Sequence, residues 1–192
     1  RDRNRFRMSQ ADYRSRDLEH VIHPLHHDAL VQQAHVWVRG EGACLYDADG
    51  KCFLDGASGL WNMVAGHGRQ ELVQAAADQM QQLGFCSGFA GNTNPRAIEL
   101  AERLADLTYP SIEKFFFTSG GAEATETSIK TARHYWKLRG QPEKTKTISL
   151  TWGYHGLTLA AMSATGIESY WPAFEPRVPG FIHIPSHYPY RY

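Results

Sequence analysis

The chain has 192 residues, with 20 Lys and Arg against 20 Asp and Glu, so its formal net charge at pH 7 is zero. That balance gives no electrostatic reason for a nucleic-acid or anionic-membrane partner, and no run approaches the roughly 18 apolar residues of a membrane-spanning helix. At 42% hydrophobic residues the composition is that of a globular protein with apolar surface enough for a core, and the three cysteines, Cys44, Cys52 and Cys86, fit no zinc or redox spacing, which points to a reducing cytoplasm.

The N-terminus, Arg1 to Arg16, is rich in arginine but has no apolar segment of the secretory kind, and Asp2, Asp12 and Asp17 count against a mitochondrial leader. Met8 reads as the natural start, with 1–7 as upstream sequence. Residues 1–30 have few apolar positions and no clear period, and are predicted to form an irregular arm. Within it, His20, His23, His26 and His27 resemble a metal site, but Pro24 disfavours helix at His23, and the reading is an arm with polar histidines and no metal.

Residues 34–56 read as strands. Val36, Val38, Leu45 and Tyr46 are strand residues, 47–51 form a turn signal with Asp49-Gly50 at the bend, and Cys52-Phe53-Leu54 returns as the second arm of a hairpin. A helix is predicted from Gly68 to Leu83, with Leu72, Ala76, Met80 and Leu83 on one stripe. A second begins at Asn94-Pro95, an N-cap followed by proline in the first turn, and ends at Tyr109-Pro110. The apolar run Lys114–Thr118 is predicted to be a buried strand. A turn, Ser119-Gly120-Gly121-Ala122, leads into a helix from Glu123 to Arg139, closed by Gly140, with Glu126 and Lys130 as an i,i+4 pair. Thr147–Leu150 is the next strand. The turn Gly153-Tyr154-His155-Gly156 then leads to a helix over Leu157–Ala164, and Phe181–Ile184 is a third strand candidate. Strands alternating with helices imply an α/β domain with a mostly parallel sheet. Such a sheet should not end after two or three strands, so the sequence reads as truncated.

Two junctions carry chemistry. A helix N-terminus offers unpaired N–H groups and partial positive charge, and the small residues of Ser119–Ala122 let an anion reach them. The glycine spacing matches neither a Walker loop nor a dinucleotide fingerprint, and a tight strand–helix turn without ligand is the competing reading. The other junction, Trp152-Gly153-Tyr154-His155-Gly156, follows the next strand, so both would lie on the carboxyl rim of the sheet where open α/β proteins bind ligands. An aromatic held between glycines there can stack on a flat heterocycle. A buried structural tyrosine is the alternative.

The run Phe-Phe-Thr-Ser-Gly-Gly-Ala-Glu-Ala (116–124), with Lys130 and Arg133 on the helix and then Tyr154-His155-Gly156, resembles the class III aminotransferases. So do Leu54-Asp55-Gly56-Ala57-Ser58-Gly59-Leu60-Trp61 and Gly66-His67-Gly68. The likeness runs in order from about Trp37 onward and is greatest to the omega-aminotransferases of the β-alanine:pyruvate and diamine:pyruvate type. It implies the pyridoxal 5'-phosphate (PLP) dependent transferase fold type I. Residues 1–57 would be an arm and small-domain strands, and 58–192 the start of the PLP-binding large domain. It further implies that Ser119, Gly120, Gly121 and Ala122 hold the PLP phosphate. Ala122 stands where many relatives have serine. Tyr154 would stack on the pyridine ring with His155 in support, and Trp61, Phe85 and Phe89 would line the substrate pocket.

By the same resemblance the activity is transfer of an amino group from a primary amine or ω-amino acid to a keto acid such as pyruvate, by a homodimer. Transamination needs a lysine to form the Schiff base with the cofactor. None of Lys51, Lys114, Lys130, Lys137, Lys144 and Lys146 sits in a matching context, which places that lysine outside this chain. The alternatives are a PLP aminomutase or decarboxylase of the same fold, and a non-catalytic homologue that only dimerises. A nicotinamide-dependent oxidoreductase would need a glycine fingerprint that is absent.

Overall fold

Ser9 opens the first element. Its side chain accepts from the Asp12 amide while the Asp12 carboxylate reaches back to the Ser9 amide, a reciprocal cap that starts α1 (Gln10–His20). The arm predicted to be irregular is therefore helical over Gln10–His20. It lacks an apolar period because a polar side chain docks it. Gln10, 7% exposed, donates to Asp47 and Asp49 at 3.0 and 2.9 Å and accepts from the Val36 amide. The computed structural model describes residues 8–24, 28–188 and 190. Part of the histidine stretch, His26 and His27, lies outside the described residues, and His23 pairs with Asp17 at 2.7 Å. The chain divides into two compact units, Arg1–Asn94 and Pro95–Tyr192.

In the first unit, the short α2 (Asp28–Val31) precedes an antiparallel sheet of β1 (Trp37–Glu41), β2 (Cys44–Asp47) and β3 (Cys52–Leu54) in that order. The β2–β3 hairpin turns as expected, with Gly50 at φ 85°. Asp47, 2% exposed, fixes the turn by accepting from the Asp49 and Lys51 amides. Next comes α3 (Ser58–Trp61), a single turn that runs left-handed: φ is 48°, 57°, 57° and 66° at Ser58, Gly59, Leu60 and Trp61. Then α4 (Gln70–Leu83) follows the predicted helix, but its apolar stripe is not covered, Leu72 being 59% and Met80 73% exposed.

The second unit opens with α5 (Pro95–Leu107). The strand predicted over Lys114–Thr118 does not form: the segment has no strand partner among the described residues, and Phe116 is 78% exposed. A strand exists only through the ladder to its neighbour, so an apolar run alone does not make one. α6 (Gly121–Leu138) follows, ended by Gly140 at φ 73°. β4 (Thr147–Leu150) and β5 (Phe181–Ile184) pair in parallel with Thr147 opposite Phe181. Between them lies α7 (Leu159–Ala164), whose Ala161, Met162 and Ala164 are the buried apolar core. Among the described residues no helix is long and apolar enough to cross a membrane.

Candidate functional site

Two predicted junctions meet in the second unit. Gly120 is the N-cap of α6, extended at φ −169°, and no side chain caps that helix end. Its first amides thus keep the donor capacity and partial charge that attract an anion. The space where a Cβ would stand on Gly121 is open, whereas at Gly120 it would come 2.9 Å from the Glu123 carboxylate. A phosphorylated ligand fits such an end: uncapped amides and no side chain at 121 in the way. Ser119 is exposed and Ala122 half-buried.

The loop that carries Tyr154 and His155 packs on this helix start. A Cβ on Gly156 would lie 2.7 Å from the Ala122 Cβ, and Gly156 has φ 117°, so contact and conformation both demand glycine. Thr125, one turn into α6, places its hydroxyl 3.0 Å from the His155 carbonyl oxygen, with the Gly121 carbonyl at 3.1 Å as its other acceptor. From the opposite side the buried Thr165 hydroxyl accepts from the His155 amide at 3.0 Å and faces the Gly156 carbonyl at 3.0 Å. The backbone on both sides of His155 is thereby clamped, while the Tyr154 side chain stays 60% exposed and free to meet a ligand.

Glu126 has a different task from the one its spacing suggested. Its Oε1 accepts from the Thr158 hydroxyl and from the Ala160 and Ala161 amides, at 2.7, 2.8 and 3.2 Å, so it caps α7 and does not pair tightly with Lys130. Burial alone would raise its carboxyl. The bonds from Thr158, Ala161 and Ala160, with the more distant charge of Lys130, outweigh that and hold it below the usual glutamate range. Thr125 and Thr165 escaped sequence reading because a threonine one turn into a helix or just past its end reads as surface.

The predicted pocket residues lie in the first unit. Trp61 ends the left-handed turn and is 81% exposed; Phe85 and Phe89 are 83% and 85% exposed. The turn is pinned by Asp55, which accepts from the Gly59 amide at 3.1 Å and pairs with His67 Nε2 at 2.8 Å. His67 exchanges two backbone bonds with Gly42 and packs on Gly40, where a Cβ would come 2.6 Å from its ring. The hydrogen bond from His67, then that from Gly59, lowers the Asp55 carboxyl below the ordinary aspartate range. Of the lysines, Lys144 lies over the Trp136 ring at 3.5 Å and Lys51 over Phe53 at 4.8 Å.

An anion-receptive helix start beside a clamped aromatic loop at the end of a parallel strand defines an α/β protein of the coenzyme-binding kind. Residues 27–192 match the family model for class-III aminotransferases. Among curated relatives, the putrescine–pyruvate aminotransferase of Pseudomonas aeruginosa is 38% identical over 82% of this chain and 34% of its own length. Among solved structures, an (S)-enantioselective omega-transaminase from Thermomicrobium roseum is 48% identical with a TM-score of 0.91, over 96% of this chain and 42% of that one. The omega-transaminase of Pseudomonas jessenii in complex with PMP is 34% identical with a TM-score of 0.88, over 93% and 40% of the two chains. The chain belongs to the class-III aminotransferase family, whose members are PLP-dependent and share fold type I. It spans about a third of the length of the curated relatives it matches.

Proposed function

We propose that the protein is an omega-aminotransferase that moves an amino group from a primary amine or ω-amino acid to a keto acid such as pyruvate, with PLP as cofactor. The observation that carries this reading is the packing of the Gly153–Gly156 loop on the uncapped start of α6, through Gly156 and the His155 carbonyl, in a loop whose Tyr154 is exposed. The names of relatives support the substrate class: putrescine, β-alanine and ω-amino acids are donors of similar proteins, and pyruvate is their acceptor.

Bound PLP supplies the electron sink and carries the amino group between donor and acceptor. In this assignment Ser119 and the amides of Gly120, Gly121 and Ala122 bind the phosphate. Ala122 offers no hydroxyl, so the backbone carries more of that contact. Tyr154 stacks on the cofactor ring and His155 supports it. Trp61, Phe85 and Phe89 line the substrate pocket and exclude water from it. The whole protein acts as a homodimer, and the large exposure of these three aromatics fits burial against a second subunit. A cytoplasmic location is in keeping with three free thiols at Cys44, Cys52 and Cys86. Residues 58–192 form the start of the cofactor-binding domain, and the chain by itself offers binding groups without the lysine that moves protons.

The test is alanine formation from pyruvate by the full-length protein loaded with PLP, with putrescine, β-alanine and an aliphatic monoamine as donors. Alanine from at least one donor, with parallel double-reciprocal plots, is the expected result. Full cofactor occupancy without alanine from any donor would overturn the reading.

A further inference from the structure

The contacts that fix Tyr154 and His155 run through α7. That helix has an N-cap residue, Thr158, whose side chain makes no cap bond to it. Glu126 fills the role from another helix, with one carboxylate oxygen on the Thr158 hydroxyl and the Ala160 and Ala161 amides. A carboxylate there satisfies two orphan amides and meets the positive end of the helix. At the far end of α7, the Thr165 amide donates to the Ala161 carbonyl, and the Thr165 hydroxyl holds the His155 amide and faces the Gly156 carbonyl. α7 is thus a strut, tied to α6 at its start and to the aromatic loop at its end. Its residues 161–164 are buried, so it cannot shift without uncovering the core of the second unit.

We infer that Glu126 is a positioning residue: by capping α7 from α6 it sets where Tyr154 and His155 stand relative to the start of α6. It acts through the strut and touches no part of the cradle itself. The neighbouring Thr125 acts on the same loop directly, through the His155 carbonyl. The ligand to which this matters rests on the PLP reading above; the geometry does not.

The experiment uses the full-length protein and two readouts. Amide hydrogen exchange without added cofactor is expected to rise at least about tenfold over residues 153–157 in Glu126→Ala, with β4 and β5 unchanged. PLP affinity, titrated by absorbance, is expected to fall about tenfold in Glu126→Ala. It should return to within about threefold of the starting protein in Glu126→Gln, whose amide oxygen accepts the same bonds. In a Tyr154→Ala background, Glu126→Ala is expected to change PLP affinity little, because the loop it positions has lost its aromatic. Unchanged exchange over 153–157, or effects of the two substitutions that simply multiply, would overturn the inference. Should Glu126→Ala not fold, Glu126→Asp, shorter by one methylene, carries the same cycle with the same criteria. Absence of PLP binding in the unsubstituted protein would sink the cofactor reading alone, and the exchange data would then decide the role of Glu126.

Discussion

The turn at Ser58–Trp61 and the loop at Gly153–Gly156 both present an aromatic side chain to solvent, yet they hold their backbones by opposite means. The loop uses glycine where φ is positive and the neighbours close, and it is clamped by hydroxyls and by a helix cap. The turn puts Ser58, Leu60 and Trp61 in the left-handed region, at roughly 1–2 kcal/mol each, and relies on a carboxylate–imidazole pair to keep them there. Between 153 and 156 positive φ falls on glycine alone, with Trp152 before them at φ 66°, whereas the turn places it on three residues that carry side chains. Strain that persists at an exposed tryptophan is expected where the direction of that side chain matters more than local stability.

The largest effect is expected at the loop. Gly156→Ala places a Cβ 2.7 Å from the Ala122 Cβ and 2.9 Å from its Cα, at a φ of 117°. Neither the helix start nor the buried α7 can yield, so the variant should lose roughly 2–4 kcal/mol in urea denaturation. A loss well under this would mean that the loop is loosely held, and the contrast with the turn would collapse.

The next effect is smaller and depends on pH. Asp55→Asn removes the charge that meets His67 and the Gly59 amide. The Asp55 carboxyl is lowered in the folded protein, so its contribution is complete above the ordinary aspartate value, near 3.8, and is lost as pH falls through the lowered one. The gap in urea midpoint between the two proteins should therefore be widest above the ordinary aspartate value and close as the pH falls through the lowered one. A gap independent of pH would show that Asp55 acts by shape alone.

The two sites also differed in how far the sequence revealed them. Ser119–Ala122 and Tyr154–Gly156 stand out in the sequence as small residues leading into helix patterns, and the structure packs the two segments together in one unit. β4 and β5 stood out for the same reason: short β-branched or apolar runs bounded by polar turns. The helix of the N-terminal arm was missed because Gln10 docks it by hydrogen bonds, which leave no hydrophobic period, though Ser9 and Asp12 carried the sign of a cap. The run at Lys114–Thr118 misled because apolarity reports burial or pairing without naming the partner. Glu126 misled through its neighbour Lys130: spacing along one helix is visible in a sequence, whereas a carboxylate capping another helix 34 residues on is not. The left-handed turn carries a single glycine, so nothing local announced it. Asp55 and Asn62 bond its backbone from either side, and Asp55 is itself paired with His67, 12 residues on.

The smallest expected effect has the opposite sign and tests the strain directly. Leu60 has φ 57° and ψ 55° and is 68% exposed, so glycine there loses little packing. Relief of the left-handed penalty should exceed the added freedom of the unfolded chain, and Leu60→Gly should stabilise the protein by roughly 0.5–1 kcal/mol. The pin and the strain it holds must also be coupled. Losing the pin lets the parent relax its strain, which offsets part of the loss, so Asp55→Asn should shift the urea midpoint more in the Leu60→Gly background than in the parent, a non-additivity that two independent sites would not show. If Leu60→Gly instead destabilises, the leucine side chain carries packing that its exposure conceals. The turn and the loop would then be held by the same means after all.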